Sequence, residues 1–199
     1  MKKIALCGPS GVGKGFVSEI ICKEFGFPVL DTDKVVHEMY ESDKTLISSL
    51  GEIFGDSIIK DGKINRNALR EIVFKNRAAL EMLNHTVHQR VRDYIQAWFD
   101  QMEKKGCSAC FVDIPQIIES GMVKDFDLVI GICADMDIRL NRITRRDGIS
   151  IEDARKRISN QLGISEYLNI CHHRLDNNGN KEKLISDIYS VLYEVGIIE

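Results

Sequence analysis

The chain has 199 residues, of which 44% are hydrophobic and 29% charged, with 15 glycines and 3 prolines. This composition excludes disordered, collagen-like and low-complexity proteins, and it predicts one compact domain with a proper core. A net charge of −3 excludes general attraction to nucleic acid, and no apolar run approaches the roughly 20 residues of a membrane span. We therefore expect no nucleic-acid partner, no membrane and, without a recognisable signal peptide, a cytoplasmic location.

The first 40 residues predict a β-α-β unit. Lys3–Leu6 is a short apolar run, a glycine-rich segment follows it, and Phe16–Phe25 has apolar residues at helical spacing. Phe27–Leu30 predicts a second strand, and the next helical pattern covers Lys34–Tyr40.

The remaining chain predicts a helical insertion followed by three more strands. Residues 44–106 are almost entirely helical in period, with turns at Gly55 and at Asp61-Gly62. The further strands and the last helix are predicted at Phe111–Ile114, Leu128–Cys133, Arg174–Asp176 and Glu182–Val195, with more helix from Asp135 to about Ile170. Alternating strands and helices predict an α/β fold with a parallel sheet, helices on both faces, and ligands at the carboxyl ends of the strands.

A phosphate-binding loop is the strongest signal in the sequence. Gly8–Gly15 fits the pattern G-x-x-x-x-G-K between a predicted strand and a predicted helix, as in P-loop NTPases. Glycines allow successive N–H groups to point inward, the helix N-terminus adds its positive dipole end, and Lys14 can reach the outer phosphates. The predicted nucleotide-binding residues are Ser10, Gly11, Val12, Gly13, Lys14, Gly15 and Phe16.

The magnesium ligand that usually accompanies such a loop is missing. The residue after the loop lysine commonly carries a hydroxyl that contacts Mg²⁺, but Lys14 is followed here by Gly15 and Phe16. Asp113, at the end of a predicted strand, is our candidate for holding Mg²⁺ through water.

A basic segment follows the predicted strand Leu128–Cys133. Between Arg139 and Arg157 there are seven basic and three acidic residues, a local balance of +4. Such a run is often only a solvated helix face. Arg142 and Arg146 lie four residues apart, and therefore on one helical face, whereas Arg139 and Arg145 are expected to project elsewhere into solvent.

The chain resembles the dephospho-CoA kinase family, P-loop kinases that phosphorylate the ribose 3′-hydroxyl of dephospho-CoA with ATP. The resemblance runs nearly end to end and rests on segments in family order: the phosphate loop, Asp31-Thr32-Asp33, Phe54-Gly55, Gly62–Leu69, Leu83-Asn84-His85, Pro115–Glu119, Arg142–Asp147, Gln161 and Asp176–Gly179. The sequence departs from the family pattern at Gly15, Phe16, Thr86, Gln116 and Cys171-His172.

The resemblance implies ATP and Mg²⁺ as cofactors, dephospho-CoA as substrate, and a role for each matched residue. Asp33 would be the base, and Asp31 would orient the ribose or a magnesium-bound water, although both could simply cap the following helix. Lys14, Arg142 and Arg146 would stabilise the transferring phosphate. The implied contacts with substrate and adenine are Arg66, His85, Pro115 and Glu119 for dephospho-CoA and Asn178 for adenine.

The resemblance also implies a domain plan, and it leaves two alternatives open. We expect a single kinase domain with its core at about 1–40, 107–138 and 171–199, a substrate-binding insertion at about 41–106 and a lid at about 139–170. The alternatives are a nucleoside monophosphate kinase such as guanylate kinase, whose guanine-recognition segment has no counterpart here, and a nucleotide-binding module with weak or no turnover. No heptad run predicts a coiled-coil partner.

The six cysteines are expected to be reduced thiols in the core. One alternative is a zinc site in which Cys107 and Cys110 combine with Cys171, His172 and His173.

Overall fold

The computed structural model describes residues 1–199. Its strands are β1 (Lys2–Cys7), β2 (Val29–Asp31), β3 (Ile59–Lys60), β4 (Lys63–Ile64), β5 (Ala109–Asp113), β6 (Leu128–Cys133) and β7 (His173–Asp176). Its helices are α1 (Lys14–Phe25), α2 (Thr32–Ser42), α3 (Lys44–Phe54), α4 (Arg66–Phe74), α5 (Arg77–Lys104), α6 (Met136–Asp147), α7 (Ile151–Ser159), α8 (Ile164–Leu168) and α9 (Lys181–Glu194). None of the helices is long and apolar enough to cross a membrane.

Five strands form one sheet in the order β2-β5-β1-β6-β7, which confirms the predicted α/β fold. β1 pairs in parallel with β5 and β6, and β6 pairs in parallel with β7. From β1 the chain continues to β2, which lies on one side of β1 in the sheet, whereas from β6 it continues to β7, which lies on the other side. The direction of the connections therefore changes between the neighbouring strands β1 and β6. Ligands of open α/β sheets bind at the carboxyl edge of such a switch point.

The central strands are buried over most of their length. Ile4–Cys7 of β1 and all of β5 are inaccessible to solvent apart from a few per cent at Asp113. Strands covered on both faces need continuous apolar sequence, which these runs provide. Val17, Ile20 and Ile21 of α1, together with Leu184 and Ile188 of α9, complete the same core, and each such side chain contributes about 1.5–3 kcal/mol by its burial.

The chain divides into two compact units. One consists of Met1–Leu30 with Gln101–Glu199, and the other of Asp31–Asp100. The second unit contains a two-stranded antiparallel hairpin, β3–β4, joined by Asp61 and Gly62 at φ 53° and 74°. Two consecutive positive φ values suit a tight hairpin turn. The sequence predicted this turn but not its strands, because two-residue strands are too short to show a period.

Three short helices, α6, α7 and α8, make up the segment predicted as a lid. Leu140 and Ile143 of α6 pack with Ala154 of α7 in a small apolar cluster of their own. α6 begins directly after β6, so its first turns lie at the carboxyl edge of the sheet.

Candidate active site

The phosphate loop connects β1 to α1, and its glycines are required by conformation and by space. Gly8, Gly11 and Gly13 have φ values of 142°, 84° and 86°, which residues with a Cβ rarely adopt. A Cβ on Gly8 would lie 2.4 Å from the carbonyl oxygen of Ile132, and one on Gly13 would lie 2.3 Å from Nδ2 of Asn177. The loop is therefore both tightly turned and closely surrounded.

The loop and the start of α1 form a site suited to an anion. Lys14 is the first residue of α1, and the N–H groups of a first helical turn have no carbonyl partner within the helix. These groups carry the positive end of the helix dipole. The Lys14 ammonium donates to the carbonyl oxygen of Gly8 at 2.9 Å and so lies across the loop.

Arg139 is buried behind this loop, and the prediction that it is only solvated is wrong. It is 5% exposed, and its Nε donates to the carbonyl oxygen of Ser10 at 3.0 Å. A Cβ on Gly11 would lie 2.8 Å from the Arg139 carbonyl oxygen, so the first turn of α6 packs directly on the loop. Burial lowers the pKa of the Arg139 guanidinium, which nevertheless stays charged at neutral pH.

Arg142 also contacts the loop. Its Nη1 donates to the carbonyl oxygen of Val12 at 3.1 Å, and its Nη2 donates to Oδ1 of Asn177 at 3.2 Å. Burial lowers the pKa of this guanidinium as well. One helical turn later, Arg146 makes a different contact: its Nε and Nη2 donate to the Asp147 carboxylate at 2.7 and 2.9 Å.

Asn177 is a site residue that sequence reasoning missed. It is 2% exposed, and its Nδ2 donates to the carbonyl oxygen of Val12 at 2.9 Å. The residue predicted from the sequence is its exposed neighbour Asn178, whose Oδ1 accepts from the backbone N–H of Asp135 at 2.9 Å. The available signal was the position of Asn177 directly after a strand, at the edge where the phosphate loop lies.

A residue of the segment predicted as a lid also contacts the loop. Oε1 of Gln161, which follows α7, accepts from the backbone N–H of Ser10 at 3.0 Å. Phe16, also predicted to bind nucleotide, lies in the first turn of α1 and is 40% exposed.

Asp113 ends β5 beside Leu6 of β1, and it is 6% exposed. Carboxylate oxygens are ligands that Mg²⁺ prefers. A buried carboxylate on the strand next to the one that enters the phosphate loop therefore fits the predicted role. The position of the missing hydroxyl, Gly15, is exposed, and nothing lies within 4 Å of a Cβ built there.

The segment after β5 contacts α8. The Tyr167 hydroxyl of α8 donates to the carbonyl oxygen of Pro115 at 3.1 Å, and burial raises the pKa of Tyr167 to about 12. Glu119, the other predicted substrate contact in this segment, is exposed.

The remaining predicted site residues belong to the second compact unit. Oδ1 of Asp31 accepts from the N–H groups of Asp33 and Lys34 at 3.1 and 3.2 Å, so Asp31 caps α2 as one alternative predicted. Asp33 lies in the first turn of that helix with an exposed side chain. Arg66 lies at the start of α4, with Nη1 3.3 Å from Nδ1 of His37, and His85 is exposed on α5.

The structure does not gather the alternative zinc ligands. The Cys110 thiol lies 3.8 Å from the carbonyl oxygen of Lys2, at the start of β1, whereas the Cys171 thiol lies 3.5 Å from the Cys7 thiol, at the end of the same strand. Five strand steps separate these two ends, which is roughly 16 Å. No group of three or more His, Cys, Asp or Glu side chains is placed to hold a metal, and all six cysteines are free.

Comparisons with known proteins agree on one family. A family model described as dephospho-CoA kinase (CoaE) matches residues 2–183. A protein of Fusobacterium nucleatum named dephospho-CoA kinase is 34% identical over 186 residues, 93% of this chain and 94% of that protein. A dephospho-CoA kinase of Staphylococcus aureus is 32% identical over 199 residues, which cover 100% of this chain and 95% of that protein.

Solved structures agree with this result. The dephospho-CoA kinase from Campylobacter jejuni is 27% identical with a TM-score of 0.70, and the match covers 97% of this chain and 96% of that one. Shikimate kinase from Acinetobacter baumannii, at 14% identity and a TM-score of 0.58 over 100% of this chain and 96% of that one, shares the fold.

Proposed function

This chain belongs to the dephospho-CoA kinase family, and on that premise we propose that it transfers the γ-phosphoryl group of ATP to the ribose 3′-hydroxyl of dephospho-CoA, giving coenzyme A. The observation that carries the proposal is the phosphate loop itself. Lys14 lies across the loop, and two guanidiniums, that of the buried Arg139 and that of the half-buried Arg142, contact its carbonyl groups. Neither guanidinium forms an ion pair with a carboxylate, so their positive charge favours an anion bound at the loop.

Charge stabilisation is the first part of the proposed mechanism. The loop N–H groups and Lys14 bind the phosphate oxygens, on which negative charge accumulates during transfer. The positive charge of Arg142, which contacts the loop, stabilises the same phosphate oxygens. Arg146 contacts the transferring phosphoryl group once its hydrogen bonds to Asp147 are broken. Magnesium would neutralise charge on the same oxygens when bound, and Asp113 is the residue proposed to hold it through water.

Proton transfer is the second part. We assign Asp33 as the base that accepts the proton of the ribose hydroxyl, because it is an exposed carboxylate directly after β2, in the first turn of α2. Asp31 then positions the segment that carries the base. The residues proposed to contact substrate or adenine are Arg66, His85, Pro115 and Glu119 for dephospho-CoA and Asn178 for adenine.

One assay tests this function against its alternatives. The protein is incubated with ATP and Mg²⁺ and with dephospho-CoA, GMP, AMP or CMP in turn, and ADP release is followed. We expect release with dephospho-CoA only. Release with GMP would favour a guanylate kinase, and ATP binding without release on any acceptor would favour a nucleotide-binding module.

A further inference from the structure

Side chains that follow β6 and β7 hold the backbone of the phosphate loop from behind. The carbonyl oxygen of Ser10 accepts from Arg139 Nε at 3.0 Å. That of Val12 accepts from Arg142 Nη1 at 3.1 Å and from Asn177 Nδ2 at 2.9 Å. We call these three side chains, Arg139, Arg142 and Asn177, the collar.

Two further carbonyl groups make longer contacts with the collar. Arg142 Nη1 lies 3.4 Å from the carbonyl oxygen of Gly11, and Asn177 Nδ2 lies 3.5 Å from that of Gly13. Four consecutive carbonyl groups, at positions 10 to 13, therefore contact the collar, and that of Gly13 also accepts from the backbone N–H of Phe16 at 3.1 Å.

The direction of these carbonyl groups fixes the direction of the N–H groups. A trans peptide group is planar, and its C=O bond points opposite to the N–H bond of the next residue. Carbonyl groups that face the collar at positions 10 to 13 turn the N–H groups of residues 11 to 14 away from it. Those N–H groups are the donors that a loop of this sequence offers to phosphate oxygens.

Asn177 is the central member of the collar. Its amide is used at both ends, because Oδ1 accepts from Arg142 while Nδ2 donates to Val12. Its own backbone N–H donates to the carbonyl oxygen of Cys133 at 2.8 Å, which ties the collar to the end of β6. With 2% exposure, the side chain has little freedom to leave this arrangement.

We propose that Asn177, with Arg139, is a positioning residue for the polyphosphate chain of the nucleotide. It keeps the loop N–H groups directed at the phosphates before ATP arrives, so binding and transfer need no rearrangement of the loop. This inference rests on the proposed function, because it takes ATP as the ligand of the loop. Asn177 could instead support its neighbour Asn178 at the adenine. Its substitution would then weaken the binding of adenine and leave the binding of the phosphates unchanged.

The test compares Asn177→Ala with the wild-type protein. We expect the KM for ATP to rise about 10- to 100-fold, as misplacement of groups by about 1 Å can do, with the KM for dephospho-CoA unchanged. The affinity for inorganic tripolyphosphate, measured by calorimetry, should fall by a similar factor, while inhibition by adenosine stays the same. The matched control is Asn141→Ala, at an exposed asparagine of the same helix as Arg139 and Arg142, which should change none of these constants.

A second variant covers the case in which Asn177→Ala does not fold. Arg139→Lys keeps the charge but loses the planar guanidinium that donates to Ser10, and it should weaken tripolyphosphate and ATP in parallel. Unchanged tripolyphosphate affinity in a folded variant, or weaker adenosine inhibition alone, would overturn the inference. Failure of the wild-type protein to bind ATP or tripolyphosphate would instead overturn the proposed function, and the inference with it.

Discussion

Gly15 occupies the position after the loop lysine where a hydroxyl commonly contacts Mg²⁺. Its φ is not positive, and a Cβ built there has nothing within 4 Å, so Gly15→Ser should be accommodated without strain. We expect the Mg²⁺ concentration for half-maximal activity to fall several-fold, because the new hydroxyl adds an oxygen ligand. Initial rates over a Mg²⁺ titration measure this. Gly15→Ala is the control for the gain in helix propensity of about 1 kcal/mol, and equal effects of Ser and Ala would contradict the expectation.

Asp33 is the residue on which the proposed proton transfer depends. Asp33→Asn removes the basic oxygen and keeps the size of the side chain. We expect kcat to fall about 10²- to 10⁴-fold, the usual contribution of a general base, with ATP affinity unchanged. Single-turnover transfer and ATP calorimetry measure the two quantities. Glu38→Gln, on an exposed face of the same helix, should leave both near wild type, and a parallel loss of ATP affinity in Asp33→Asn would refute the assignment.

Some of the site residues could be predicted from the sequence and others could not. The phosphate loop was predictable because its glycines, its lysine and the flanking apolar runs lie together in the chain. The burial of Arg139 and Asn177 was not, because it arises only when β6 and β7 pair side by side next to β1. Helical spacing placed Arg142 and Arg146 on one face but could not give their partners, which are the loop for the first and Asp147 for the second.

Asp147 joins the end of α6 to the last turn of α7, and this gives a pH-dependent contribution to stability. Hydrogen bonds from Arg146, with the nearby charge of Arg157, lower the pKa of the Asp147 carboxyl. A lowered folded-state pKa means that the contribution is present above the unfolded pKa of about 3.9 and is lost as the pH falls through the folded value.

We therefore expect Asp147→Asn to reduce the free energy of unfolding by up to about 1 kcal/mol at pH 7, since the pair lies near the surface. The difference from wild type should shrink towards zero as the pH falls below about 4. Urea unfolding at pH 3, 5 and 7 measures it. A difference that stays constant across this range would show that Asp147 acts by packing rather than by charge.

Elements were predicted best where tertiary structure reinforces a local pattern. β1, β5 and β6 are continuous apolar runs because neighbouring strands and helices cover both of their faces, so their sequence alone shows their burial. The start of α1 was placed at Phe16, two residues late, because Lys14 and Gly15 carry no apolar period. Each strand of the β3–β4 hairpin has only two residues, which is too short to show a period in the sequence.

The positive charge of the molecule is concentrated in the segment that includes two side chains in contact with the phosphate loop. The net charge is −3, yet residues 139–157 carry +4, so the remainder carries −7. Two of the seven basic residues in this segment contact the phosphate loop, and the other five are exposed: Arg145, Arg146, Arg155, Lys156 and Arg157. Such a local positive region attracts a polyanionic nucleotide to one part of an otherwise acidic surface, and salt weakens this attraction.

ATP should stabilise the whole chain even though the phosphate loop lies in only one of its two compact units. At a concentration 100 times its dissociation constant, a ligand adds about 2.7 kcal/mol to the free energy of unfolding, or roughly 5–10 °C in Tm for a chain of this size. Trp98, the single tryptophan, lies in the other unit, on α5, and α5 continues unbroken past the unit boundary at Asp100. A continuous helix favours joint unfolding, so we expect the midpoint reported by Trp98 fluorescence to rise with ATP by the same amount as the calorimetric Tm. Lys14→Ala, which weakens phosphate binding, should abolish both shifts, whereas a calorimetric shift with an unmoved Trp98 midpoint would show that the units unfold separately.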